Sequence, residues 1–184
     1  MYQDWVDAQA NLPTRARWFL KGDTAQYEQL IGVASTLPTE VSMSQTQISA
    51  DKIRAYEATD YRLGHTKDDI ILNIGKASPR LIELFKQNKV SCGAFLTAYN
   101  PRGTQQSDAS NDLAHAKLAK DLTELGVHFI EGSGSEEGTE WPEERSFFAL
   151  GLPLETASKI GKDADQDAIV WVGADAIPQL ILLR

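Results

Sequence analysis

Residues 90–99 form an apolar run that ends in Asn100-Pro101-Arg102, and a proline at that point stops a strand. After a polar loop over 101–110 the period changes. Leu113, Leu118, Leu122 and Leu125 recur at helical spacing over 111–125, and Gly126 stands where a C-terminal cap belongs. Residues 127–131 then return to a strand pattern. A chain that alternates strand and helix in this way must lay helices against a sheet. The alternation lacks the regular repeat of a doubly wound parallel sheet. The expected class is therefore α+β, with a two-layer mixed β-sheet packed with helices.

The flanking segments extend the pattern. Residues 51–58 suit a short helix, and strands over 59–64 and 70–74 around the Lys67-Asp68-Asp69 turn suggest a β-hairpin. Ser78 as N-cap with Pro79 at the first helical position starts another helix, whose apolar face is Leu81, Ile82, Leu84 and Phe85. A flexible loop is expected at Gly132-Ser133-Gly134-Ser135, then a strand at 146–152, a helix at 154–161, a strand at 168–172 and an extended segment at 177–183. Residues 1–50 differ from the rest. Trp5, Trp18 and Phe19 are apolar anchors on short helix-compatible stretches split by Pro13 and Pro38. They read as a helical N-terminal extension docked on an α+β domain over 51–184.

Composition narrows the function classes. A length of 184 residues is enough to bury a core without a metal or disulfide staple. Cys92 is the one cysteine, so no internal disulfide forms; it reads as a small core residue and fits a reducing cytoplasm. A net charge of −8 repels nucleic-acid phosphates. The apolar runs are strand-sized, far below the ~20 residues of a membrane span, and no secretory leader is visible at the N-terminus. His65, His115 and His128 lack metal-ligand spacing, so no metal is expected. Asp163, Asp165 and Asp167 alternate as in a calcium loop, but the required glycine and glutamate are missing. No Walker or Rossmann glycine fingerprint and no nucleophile elbow occurs, and no cofactor is assigned.

Three polar-aromatic clusters lie at strand ends, where α/β ligand sites commonly form. The first is Thr97-Ala98-Tyr99-Asn100-Pro101-Arg102. Thr97 and Tyr99 share a face by the period of two, Asn100 offers donor and acceptor, and Arg102 offers a fork for carboxylate or phosphate. Asn100-Pro101 also suits a plain turn. Asn111 suits the N-cap of the long helix, with Ser110 as competitor; that helix N-terminus would receive an anion between Asn100, Arg102 and Asn111. The second cluster is Trp141-Pro142-Glu143-Glu144, where Trp141 could stack on a base or sugar and Glu143 bind hydroxyls or act as a base; a Trp covering the sheet edge is the alternative. The glycine loop before it would serve as a lid. The third is Gln166 ahead of Ala168-Ile169-Val170-Trp171, where Gln166 binds ligand or satisfies backbone groups.

With these residues the chain resembles a family of bacterial proteins of unknown function, DUF3293. The resemblance rests on Tyr56, Thr59 and Tyr61, on Leu72-Asn73-Ile74-Gly75, on Thr97-Ala98-Tyr99-Asn100-Pro101, on Asn111, on Trp141-Pro142-Glu143-Glu144, and on Gln166 with Ala168-Ile169-Val170-Trp171. It covers about residues 55–184. Where the family usually has Trp this chain has Tyr99, which keeps the aromatic face and adds a hydroxyl. The resemblance implies a shared fold and a shared polar-aromatic face, with no activity or cofactor attached. The leading expectation is a small polar ligand, a nucleotide or an anion, held by Thr97, Tyr99, Asn100, Arg102, Asn111, Trp141, Glu143 and Gln166. The rivals are an acidic protein-interaction module acting through its surface or residues 1–50, and a hydrolase or transferase using Glu143.

Overall fold

The computed structural model describes residues 46–64, 66, 69–135, 138 and 141–184. The expected helical extension lies outside them up to residue 45. Gln45–Arg184 forms one compact unit. In chain order its elements are α1 (Ala50–Ala58), β1 (Asp60–Leu63), β2 (Ile70–Leu72), α2 (Pro79–Asn88), β3 (Gly93–Thr97), a 3-10 turn (Pro101–Gly103), α3 (Asp108–Glu124), β4 (Phe129–Ser135), β5 (Glu144–Leu150), α4 (Leu154–Asp163), β6 (Ala168–Val172) and β7 (Pro178–Leu182). The seven strands form one curled half-barrel sheet in the order β2-β1-β4-β5-β3-β6-β7.

The α+β class stands, but the sheet is antiparallel throughout and not mixed. Helix α3 joins β3 to β4, and α4 joins β5 to β6. Each crossover brings its second strand back parallel to the first, yet one antiparallel strand stands between them. β5 separates β3 from β4, and β3 separates β5 from β6. Helical crossovers therefore coexist with purely antiparallel pairing. This is the split β-α-β arrangement of ferredoxin-like domains, with the β1–β2 hairpin added at one edge and β7 at the other.

The two-layer expectation also changes, because both sheet faces are covered. In β3 and β5 consecutive residues are buried, the pattern of a strand packed on both sides. Phe95, Phe148, Leu150, Val170 and Val172 face one way, with Leu81 and Phe85 of α2 packed on them. Leu96, Phe147, Ala149 and Ile169 face the other way, against Leu118 and Leu122 of α3 and Ala157 of α4.

Local chemistry sets most boundaries. Ser78 caps α2 through Leu81 N, Pro79 follows it, and Lys89 in the left-handed conformation ends the helix. Ile82 departs from the expected buried face and is exposed. The cap of α3 is neither Ser110 nor Asn111 but Ser107, whose side chain accepts from Ser110 N. The buried face of α3 is Asn111, His115, Leu118 and Leu122, whereas Leu113 and Leu125 are exposed. Of the expected glycine loop, residues 132–135 belong to β4. A Cβ at Gly132 would lie 2.2 Å from the Arg62 carbonyl oxygen, so only glycine lets β1 and β4 approach this closely. Cys92 is half-buried, its thiol donating to the Leu152 carbonyl at 3.5 Å, and burial pushes that thiol up.

Candidate functional site

A cavity of about 290 Å³ opens between α1 and the sheet. Its apolar floor includes Phe95, Val170 and Leu180. Thr97, paired with Ser146 across β3 and β5, lines it from the sheet. Helix α1 covers it with Lys52, Ala55 and Tyr56, and Thr59 just beyond the helix adds to the lining, although no α1 residue is fully buried. The helix is anchored by polar contacts. Lys52 forms an ion pair with Asp167, and its Nζ donates to the Arg102 carbonyl at 2.7 Å. The Tyr61 hydroxyl donates to the Tyr56 carbonyl at 2.7 Å.

The first two sequence clusters meet here through Glu144. Asn100 Nδ2 donates to Glu144 Oε1 at 2.8 Å, and Trp141 Nε1 donates to the same oxygen at 3.1 Å. Gln166 joins through the chain, its Nε2 donating to the Tyr99 carbonyl at 2.9 Å. Thr97, Asn100, Trp141, Glu144 and Gln166 all line the cavity. Burial pushes the Glu144 carboxyl above the usual carboxylate range, against the opposing hydrogen bonds from Asn100 and Trp141 and the charge of Lys52. The Tyr56 phenol is also pushed up, first by burial and then by the nearby Asp167 and Glu144 carboxylates.

The other named residues occupy different places. Glu143 is exposed and does not line the cavity. Tyr99 does not follow Thr97 into it, because β3 ends at Thr97 and the period of two ends with it. Its hydroxyl donates to Asp112 Oδ1 at 2.9 Å, and its ring meets His115 edge-on, on the face that carries α3. Arg102 Nε donates to Asp165 Oδ1 at 2.8 Å. Asn111 is buried behind the cavity against Asn100 and makes no helix cap. The anion pocket expected between Asn100, Arg102 and Asn111 is thus filled by protein contacts, and the first turn of α3 carries Asp108.

Sequence reasoning gave no site role to Lys52, Tyr56, Glu144 or Asp167, although Tyr56 and Glu144 stood among the residues of the family resemblance. For Glu144 a signal existed: it lies two residues before Ser146, the partner of Thr97, so strand parity puts it on the cavity face. Asp167 is buried between Lys52 and Arg184, and its ionic partners lie far off in sequence. Burial, the largest single influence, raises its carboxyl, but the hydrogen bonds and charges of Lys52 and Arg184 outweigh it and hold the group below its ordinary range.

Among the described residues no cluster of His, Cys, Asp and Glu is arranged to hold a metal ion, and no helix is long and apolar enough to cross a membrane. Comparison with known families matches residues 96–169 to a protein family of unknown function, DUF3293. The matched stretch runs from inside β3 to inside β6 and so covers the split β-α-β unit and the Asn100–Glu144 contact. No curated protein and no solved structure matches the chain.

Proposed function

We propose that this chain, which carries a DUF3293 domain over residues 96–169, binds a small polar ligand in the cavity beneath α1. The observation that supports this reading is the meeting of Asn100 and Trp141 on one oxygen of Glu144 at the wall of that cavity. A half-buried carboxylate on a largely apolar floor is costly unless it is hydrogen-bonded, Glu144 has donors on one oxygen alone among the described residues, and convergent polar groups in an apolar pocket are the usual form of a ligand site. Lys52, Tyr56 and Gln166 complete the polar lining, and Trp141 stands exposed at the rim to cover a bound group.

Native mass spectrometry of the gently purified protein, followed by a thermal-shift screen of small polar compounds, tests the proposal. A ligand at 100 times its Kd adds about 2.7 kcal/mol and raises the melting temperature by several degrees. Glu144→Ala should abolish the shift. A shift that persists in Glu144→Ala would remove the ligand from this cavity. Failure of every compound, with a protein captured instead, would favour the interaction-module reading.

A further inference from the structure

We infer that the ligand of this cavity is a hydrogen-bond donor, an amidinium- or amine-type cation on a flat apolar body, and not an anion. This rests on the cavity being a ligand site. The carrying observation is which polar atoms are already engaged within the protein.

The amide, indole and threonine donors around the cavity are turned inward, which leaves the Ser135 and Tyr56 hydroxyls as its neutral donors. Asn100 and Trp141 donate to Glu144 Oε1. Gln166 donates to the Tyr99 carbonyl at 2.9 Å, and Thr97 to the Arg145 carbonyl at 2.9 Å. Ser146 Oγ donates to the Glu144 carbonyl at 3.1 Å. Asn100 has no acceptor to spare, since its Oδ1 takes Gln106 N at 2.9 Å and Asn111 Nδ2 at 3.0 Å. Among the carboxylate and amide oxygens that line the cavity, two have no partner among the described residues: Glu144 Oε2 and Gln166 Oε1. Open acceptors call for N–H or O–H groups, and the carboxylate in its ionised form makes a cation the best bearer of them.

Among the described residues the cations near the cavity are already engaged with carboxylates. Lys52 and Arg184 both pair with Asp167, and Arg102 pairs with Asp165. The floor of Phe95, Val170 and Leu180 suits the apolar face of a planar body. The chemistry is therefore that of an aromatic or heterocyclic amidine or amine.

Benzamidine and benzoate share one flat ring and differ in the charge and in the hydrogen-bonding sense of the head group. Each is titrated into the isotope-labelled full chain, with the Trp141 indole and Gln166 side-chain amide resonances as reporters. Benzamidine should shift both reporters and bind at least tenfold more tightly than benzoate, and Glu144→Gln should weaken it at least tenfold. In the unaltered protein its affinity should also fall as pH drops and Glu144 takes up a proton, which gives the same test without a substitution. Tighter binding of benzoate at the same reporters would overturn the inference while leaving the ligand site standing. Benzamidine binding indifferent to both Glu144→Gln and pH would overturn it as well. Silence of the reporters towards both probes would overturn the inference and the ligand-site reading together.

Discussion

Asn100 and Asn111 clasp each other through two hydrogen bonds, both of 3.0 Å. The Asn100 backbone N–H donates to Asn111 Oδ1, and Asn111 Nδ2 donates back to Asn100 Oδ1. Both side chains are buried. Asn100 sits in the left-handed conformation at φ 46°, which asparagine tolerates better than most residues. The clasp ties the end of β3 to the first turns of α3 and aims the Asn100 amide at Glu144.

Asn111→Ala removes one side of this clasp and leaves a buried N–H and a buried carbonyl oxygen each short of a partner. The expected cost is about 2 kcal/mol in urea denaturation. A loss below about 0.5 kcal/mol, the range of ordinary surface changes, would show that the clasp does not hold this corner.

Asp167 should govern the acid limb of stability. Its folded pKa is depressed by Lys52 and Arg184 despite burial. The stabilisation is therefore fully present above the unfolded carboxylate value of about 3.9 and is lost as pH falls below it through the folded value. Asp167→Asn leaves Lys52 and Arg184 without their shared counter-ion and should cost about 3 kcal/mol at neutral pH. Urea melts of both proteins at pH 7 and pH 3 check this, because the gap between them should narrow at the lower pH. A gap of equal size at both would exclude the ion pairs as its source.

His115 should set a second pH dependence at higher pH. Neither ring nitrogen has a hydrogen-bond partner among the described residues, and the ring stacks on Phe147 with centroids 4.1 Å apart. Burial, then the charge of Arg145, lowers its pKa against the opposing carboxylates of Glu131 and Asp112. The neutral ring is the folded form, so its contribution is complete above about 6.5 and is lost as pH falls through the lower folded value. His115→Leu removes two unpartnered nitrogens and should stabilise by about 1 kcal/mol. The variant's melting temperature should also fall less than the parent's between pH 7.5 and pH 5. Identical slopes would place that sensitivity elsewhere.

Much of the local structure was legible because it is written in neighbouring residues. Ser78-Pro79 starts α2, Gly126 follows α3, and the apolar run of β6 has the expected ends. What was hidden depends on distant pairing. The leucines of α3 gave half of the buried face, Leu118 and Leu122, while Leu113 and Leu125 are exposed and Asn111 and His115 supply the other half. The strand begins at Glu144, two residues before the expected start at 146, and this makes Glu144, and not Glu143, the cavity carboxylate. Lys52 carries no local sign of its role, because Asp167 is 115 residues away. Antiparallel pairing was likewise invisible to a pattern of alternating strands and helices, which does not reveal that a crossover skips a neighbour.

Along β5 the residues alternate between the two faces of the sheet. Glu144, Ser146 and Phe148 point one way, and Arg145 and Phe147 point the other, where Arg145 lies within ion-pair reach of Asp112 and Phe147 packs among the α3 core residues. Register is thus shared between core and cavity. A slip of β5 by a single residue against β3 would exchange Phe147 with Phe148, two rings of equal size that the core could partly absorb. The same slip would carry Glu144 to the wrong side of the sheet and bring Arg145 into the cavity. Single-residue insertions or deletions just after Glu144 therefore disturb the polar wall of the cavity more than the packing of the core, and the cavity is the more sensitive reporter of β5 misalignment.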